Sequence, residues 1–105
     1  MPYIQKITLT KPFPEMKHFH EREYAIEYSA FIKELRVKYA SKILSHTATD
    51  EGQLITVGTT VWASKEDHDN FNADLIAAFP KYREVRDEFN RTHDIEMVLE
   101  YEELP

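Results

Sequence analysis

Apolar and polar residues alternate in four stretches of this chain and recur every three or four residues in the segments between them. Residues 3–10, Tyr-Ile-Gln-Lys-Ile-Thr-Leu-Thr, are rich in β-prone types and predict a first strand. Lys11-Pro12-Phe13-Pro14 stops it, because proline has no N–H to offer a ladder. Within the charge-rich residues 15–39, Tyr24, Tyr28, Phe31, Ile32 and Leu35 fall at helical spacing. They predict an amphipathic helix, strongest from about Glu21 to Lys38. Two strand-like runs, 40–49 and 53–63, flank Asp50-Glu51-Gly52. A three-residue turn ending in glycine suits a hairpin whose last loop position is left-handed. Asp94 to Glu103 alternates Ile95, Met97, Leu99 and Tyr101 with Glu96, Val98, Glu100 and Glu102, a last strand.

The second of the two hairpin runs leads into Trp62-Ala63-Ser64-Lys65-Glu66-Asp67. Ser64 is a candidate helix cap, Asp67 sits favourably in the first turn, and Phe71, Leu75 and Phe79 follow at helical spacing. Pro80 suits the start of a further helical piece carrying Tyr82, Val85 and Phe89. Helices are therefore expected over 65–78 and, after a break, to about residue 91. The order β-α-β-β-α-β predicts an α+β ferredoxin-like domain, with two helical segments on one face of a four-stranded antiparallel sheet. The handedness of crossovers favours strand order 4-1-3-2.

Closing Thr49 against Gln53 sets the hairpin register. His46 then opposes Thr56, Leu44 opposes Gly58, Lys42 opposes Thr60, and alternation puts Trp62 on that same face. The other face of the hairpin carries Ile43, Ser45, Thr47, Ile55, Val57, Thr59 and Val61; it is the more apolar and is expected under the helices. That leaves Leu44, His46, Ala48, Leu54, Thr56, Thr60 and Trp62 uncovered. An exposed apolar patch of this kind signals an interface, so a homodimer with sheets meeting face to face is expected.

Composition narrows the function classes. One hundred and five residues fit one domain spanning the chain. The net charge of −6 argues against nucleic acid as a partner. No apolar run approaches ~18 residues, so no membrane span is expected, and the N-terminus lacks the apolar core of a signal peptide. There are no cysteines, which excludes disulfides, thiolate metal sites and cysteine nucleophiles and is compatible with the cytoplasm. The 2 glycines, Gly52 and Gly58, cannot build a phosphate-cradling loop.

Several side chains carry chemistry, each with a plainer role beside it. Trp62 can clamp a planar substrate by stacking, or fill a core or a subunit contact. His46, predicted on the same face, can act as a general base near neutral pH, or stand at the interface as an edge-strand residue. Gln5 can orient a carbonyl, or face the helices with the more apolar odd side of its strand. Thr56 and Thr60 can hold a polar group. A hydroxyl such as that of Tyr28 can line a cavity, although Tyr28 and Phe31 fit a core equally. His18 and His20, two apart, share a face only in a strand and read as a solvated loop, with no carboxylate placed to complete a metal site. Glu21, Glu23, Glu27, Arg22, Lys33, Glu34 and Arg36 read as a solvated helix face, and His93 suits a helix end.

Thr60-Val61-Trp62-Ala63-Ser64-Lys65-Glu66-Asp67-His68, with the hairpin before it and Phe71 in the helix after it, resembles the dimeric α+β barrel superfamily, and within it the antibiotic biosynthesis monooxygenase-like group. The similarity extends in pattern over nearly the whole chain. It implies a homodimeric barrel, with a cavity inside the barrel or between each sheet and its helices. The activities it implies are cofactor-independent oxygenation of polyketide aromatics, heme degradation, quinol oxidation, isomerisation or aldoxime dehydration. Heme-degrading members use an asparagine on the first strand, the tryptophan, and a histidine on the second helix. Here glutamine stands where the asparagine would, and His68 comes early in the helix, so heme degradation is not expected. The resemblance implies a cofactor-independent monooxygenase-like enzyme acting on a small apolar or aromatic carbonyl compound in a pocket near Trp62. His46 and Trp62 would be catalytic. Gln5, Thr56, Thr60, Trp62, Phe71 and Tyr28 would bind substrate, without metal or cofactor. The alternative is a non-catalytic dimer that binds a lipid-like or aromatic molecule, or a purely structural dimer.

Overall fold

The computed structural model describes residues 1–105 apart from the side chain of Tyr24, so the part of the helical periodicity that rests on Tyr24 lies outside the described residues. Strands β1 (Tyr3–Thr10), β2 (Ile43–Glu51), β3 (Ile55–Trp62) and β4 (Glu96–Glu103) form one antiparallel sheet in the order β2-β3-β1-β4. This is the expected 4-1-3-2 order. Helices α1 (Ile26–Lys38), α2 (Lys65–Ala78) and α3 (Tyr82–Thr92) complete an α+β ferredoxin-like fold. Among the described residues no helix is long and apolar enough to cross a membrane.

The junction after β3 forms as its residues dictate. Ser64 Oγ accepts from the Asp67 backbone N–H at 3.2 Å and caps α2. α2 ends at Ala78, and Pro80 separates it from α3. α1 starts later than the periodicity suggests, at Ile26. Two single 3-10 turns, Phe19–Glu21 and Glu23–Ala25, precede it, with extended backbone at Arg22 between them. The detour lets Phe19 and Ala25 bury themselves against Phe89 and Ile95. The Glu21 carboxylate holds the first turn by accepting from the His18 backbone N–H at 2.9 Å.

Three corrections concern the hairpin. Its turn is Gly52-Gln53-Leu54 rather than Asp50-Glu51-Gly52: Asp50 and Glu51 continue β2, Glu51 pairs with Ile55, and Gly52 supplies the positive φ of 79°. A cross-strand hydrogen bond from Thr56 Oγ1 to Asp50 Oδ1, 2.9 Å, favours this longer pairing. His46 therefore opposes Thr60 instead of Thr56, a slip by an even number that leaves its face unchanged. Second, Leu44 is a bulge: Ile43 pairs with Trp62, Ser45 pairs with Val61, and Leu44 projects to solvent, 58% exposed.

The third correction is the face. Tyr3 pairs with Trp62, Ile7 with Gly58, and Leu9 with both Thr56 and Met97. The face bearing Trp62 thus collects Tyr3, Ile7, Leu9, Met97, Leu99 and Tyr101 from β1 and β4, and it is the one the helices cover. Of the residues expected beneath the helices only Ile43 is there, brought round by the bulge. Ser45, Thr47, Ile55, Val57, Thr59 and Val61 lie on the opposite, open face. The hairpin alone favours the wrong side because that side is the richer in β-branched residues; the aromatic and aliphatic surface of the other two strands reverses the balance.

Candidate functional site

The space between sheet and helices is filled at one end and hollow at the other. At the filled end Trp62 is only 2% exposed. Phe71, His68 and Tyr39 surround it with ring centroids at 4.9, 5.9 and 6.5 Å. Tyr3, Leu35 and Leu75 complete this cluster. Tyr39 also ties α1 to α2 by donating its hydroxyl to Asp74 Oδ2 at 2.6 Å. His68 is buried and held from both sides: Nδ1 lies 3.0 Å from Asp69 Oδ1 and Nε2 lies 3.0 Å from the Asn72 amide nitrogen. Asn72 donating to Nε2 and Nδ1–H donating to Asp69 is the tautomer that satisfies both. This is packing, with no room left for a substrate to stack on the indole.

The hollow end is a cavity of about 380 Å³ beneath the middle of the sheet. Its floor is Ile7, Leu9, Ala48, Gly58 and Met97. Gly58 is central to it, flanked in register by Ala48 and Ile7. A Cβ built at Gly58 would meet nothing within 4 Å. Small side chains in the middle of the floor leave the helices standing off from the sheet, and a glycine inside a strand marks the kind of place where another molecule can approach the backbone. The roof is Ser29, Ile32 and Arg36 of α1 with Tyr82, Arg86 and Asn90 of α3; His18, Phe19 and His20 close one side. The spacings 29, 32, 36 and 82, 86, 90 each present one helix face.

The lining carries two arginines and three histidines, and no carboxylate. Arg86 donates from Nε and Nη2 to Asp87 Oδ1, both at 3.1 Å. Among the described residues no carboxylate pairs with Arg36, and burial lowers its pKa, with the Tyr82 hydroxyl acting the other way. Burial raises the pKa of Tyr82, opposed by Arg86 and then Arg36, which sets its hydroxyl in the field of both guanidinium groups. His18 is buried, at 4% exposure, and neither ring nitrogen has a hydrogen-bond partner among the described residues. Burial and then His20 hold its pKa below the ordinary value, against a weaker pull from Glu21. His46 stands at the mouth, on the edge strand. Its Nδ1 is 2.7 Å from Thr60 Oγ1, and burial followed by the Arg36 charge lowers its pKa. With Nδ1–H donating to Thr60, Nε2 is a free base.

The structure separates the residues singled out from sequence. His46 and Thr56 line the cavity, and Thr60 reaches it through His46. Gln5 sits between Thr60 and Tyr101 on the covered face, outside the lining. Trp62 and Phe71 belong to the filled end, so the pocket is not where the sequence suggested. Tyr28 packs behind the roof, its ring 4.7 Å from Phe79 and 5.2 Å from Tyr82. His18 is not in a solvated loop; it is buried with its ring stacked on His20, centroids 5.6 Å apart. Arg36, Tyr82, Arg86 and Gly58 were not singled out. The usable signals were an isolated glycine inside a strand and basic residues in register with apolar ones on two helices. Among the described residues no group of three His, Cys, Asp or Glu could hold a metal ion.

No protein-family model and no curated protein matches the chain. Solved structures do. SnoaB, a cofactor-independent oxygenase from Streptomyces nogalater, is similar over 99% of this chain and 93% of its own, with 12% identity and a TM-score of 0.51. An antibiotic biosynthesis monooxygenase-like protein from Deinococcus radiodurans is similar over 98% of this chain and 92% of its own, with 12% identity and a TM-score of 0.52. A dimeric ferredoxin-like protein from an uncultured marine organism covers 97% and 93%, with 8% identity and a TM-score of 0.54. At such identities the likeness speaks for architecture. The chain shares the α+β ferredoxin-like fold of these three proteins.

Proposed function

We propose that this protein is a cofactor-independent monooxygenase-like enzyme acting on a small apolar or aromatic carbonyl compound in the cavity beneath Gly58. The observation that carries this reading is an imidazole nitrogen without a partner among the described residues at a mostly apolar cavity: His46, oriented by Thr60, with a pKa lowered by partial desolvation and then by Arg36. His46 Nε2 takes a proton from the carbon beside the substrate carbonyl. The resulting enolate places its negative oxygen by the Arg36 guanidinium, and the apolar floor keeps water away. Dissolved oxygen is the oxidant. One of its atoms replaces two hydrogens on the attacked carbon, and the other leaves with those hydrogens. A methylene and dioxygen thus become a new carbonyl and water, with atoms and electrons in balance. Thr56 holds a polar group of the substrate. Trp62 and Phe71 act by packing, setting the height at which the helices stand above the floor, and Gln5 and Tyr28 support the lining from behind.

The protein works as a homodimer in this reading. Ile4, Ile55, Val57 and Val61 run across the open face among threonines, and at its β4 side Val98 stands with Glu96, Glu100 and Glu102; the β-branched middle is a surface that a second sheet can cover. Sedimentation equilibrium tests this; a monomer at micromolar concentration would remove it.

Catalysis is tested with an oxygen electrode and product mass spectrometry over a panel of 1,3-diketones and hydroxyaryl ketones. Oxygen uptake should match substrate lost. His46→Ala, folded by circular dichroism, should slow it by about 10²-fold or more. A panel without any uptake or oxygenated product overturns the enzyme. The second reading, a dimer that holds an apolar molecule without transforming it, would then be favoured by a molecule retained in native mass spectrometry.

A further inference from the structure

We infer that the ligand of this cavity is an organic acid, an apolar or aromatic body on the sheet floor with its carboxylate held by Arg36 and Arg86 below the Tyr82 hydroxyl. This rests on reading the cavity as the substrate site and names the substrate class it takes.

Charge distribution makes the first case. The chain has 19 acidic and 13 basic side chains, yet no acid lines the cavity while two arginines do. Those arginines come from different helices and both act on the same hydroxyl, that of Tyr82; the Arg86 guanidinium carbon lies 5.8 Å from the Tyr82 ring centroid. Both arginines line the cavity together with Tyr82. Arg36 lines the cavity and has no carboxylate partner among the described residues, so its guanidinium is available to an anion there. Arg86 spends Nε and Nη2 on Asp87 and keeps Nη1.

The buried His18 ring is the second, independent observation. It lines the cavity with both nitrogens unpartnered, and a buried polar group in a folded protein ordinarily has a partner. The charged groups that act on it are His20, Glu21, Lys11 and Asp50. Neither acid bonds its ring: Glu21 accepts from the His18 backbone, Asp50 accepts from Thr56, and both ring nitrogens stay without a partner among the described residues. A bound carboxylate or a carbonyl oxygen would give its N–H an acceptor. The opposite wall is apolar, so the cavity matches an amphiphilic acid rather than a bare anion. Its volume of about 380 Å³ admits a bicyclic molecule.

The test is calorimetric titration of the full chain with 2-naphthoate and with 2-naphthamide, which share a shape and differ in charge. Naphthoate should bind at least about tenfold tighter, since a charge-assisted hydrogen bond is stronger than a neutral one. The pair Arg36→Gln and Arg86→Gln should bring the two ligands to within about threefold, and Arg36→Lys with Arg86→Lys should restore part of the preference. Gly58→Val should abolish binding of both. Should the glutamine pair fail to fold, added salt on the native protein should weaken naphthoate and leave naphthamide unchanged. The inference is overturned if the amide binds as tightly as the acid, if the preference survives loss of both guanidiniums or ignores salt, if Gly58→Val leaves binding intact, or if neither ligand binds. Oxygen uptake without an acid preference would sink this inference alone, whereas an acid preference without oxygen uptake would sink the oxygenase alone.

Discussion

Trp62 and Gly58 sit four residues apart on one strand, on the same face, beneath the same layer of helices, and their surroundings are opposite. Around Trp62 the indole, Phe71, Tyr39 and His68 interlock until nothing remains accessible. Around Gly58, flanked by Ala48 and Ile7, the floor drops away and polar side chains gather over it. Closing the first end against water holds the layers together; leaving the second end short of side chains gives the protein somewhere to hold a molecule. One strand serves both ends because its inward residues, Trp62, Thr60, Gly58 and Thr56, differ so much in size.

Exchanging the character of the two ends tests that division. Trp62→Ala opens the filled end and should cost about 3–5 kcal/mol of stability, a large share of what a domain this size possesses. Urea denaturation followed by circular dichroism reads it, and a loss under about 1.5 kcal/mol would mean the indole is not the keystone of that end. Ser64→Ala frees the start of the helix that carries Phe71 and should cost about 1 kcal/mol, with no change in ligand affinity at the other end. Gly58→Val moves the opposite way: it should raise stability by about 0.5–1 kcal/mol, since valine favours strands and no atom stands in its path, while cutting ligand binding.

The smallest effect is set by protons. His18 and His46 have folded pKa values below the ordinary 6.5, so near that pH the unfolded chain binds more protons than the folded one. Their contribution to stability is intact above about pH 7 and declines as the pH falls through 6.5 toward the lowered folded values. His18→Gln should flatten the slope of melting temperature between about pH 7 and 5, and an unchanged slope would contradict a desolvated imidazole at the cavity.

The elements and their order were readable from sequence because period 2 and period 3.6 are local signals, and Ser64 and Pro80 mark their boundaries chemically. The direction each strand faces was not. Read alone, the hairpin offers seven residues on its β-branched side, but Tyr3, Leu9, Met97 and Tyr101 are distant in sequence and join Trp62 only through the pairing of β1 with β3 and β4. The site was half readable for the same reason. His46 and Thr56 kept their face because the turn slipped by an even step. Trp62 drew the pocket to itself because a large aromatic is the conspicuous feature, whereas a cavity comes from what Gly58 lacks. Arg36 looked like solvated charge among its helical neighbours and is solvent-exposed; only the approach of α3 makes it part of a cavity lining with Arg86.

Leu44 shows how finely the edge of this sheet is indexed. Ile43 and His46 are an odd distance apart yet both point inward, which a regular strand forbids and the surplus residue between them permits. Were the bulge ironed out with every residue kept, one of the two would have to swing to the far side: the isoleucine would abandon the indole, or the imidazole would trade places with Thr47; loss of Leu44 itself would leave both inward in a regular ladder. A one-residue insertion or deletion that the bulge does not absorb is therefore a toggle between a chain that keeps its base and a chain of nearly identical shape that has lost it.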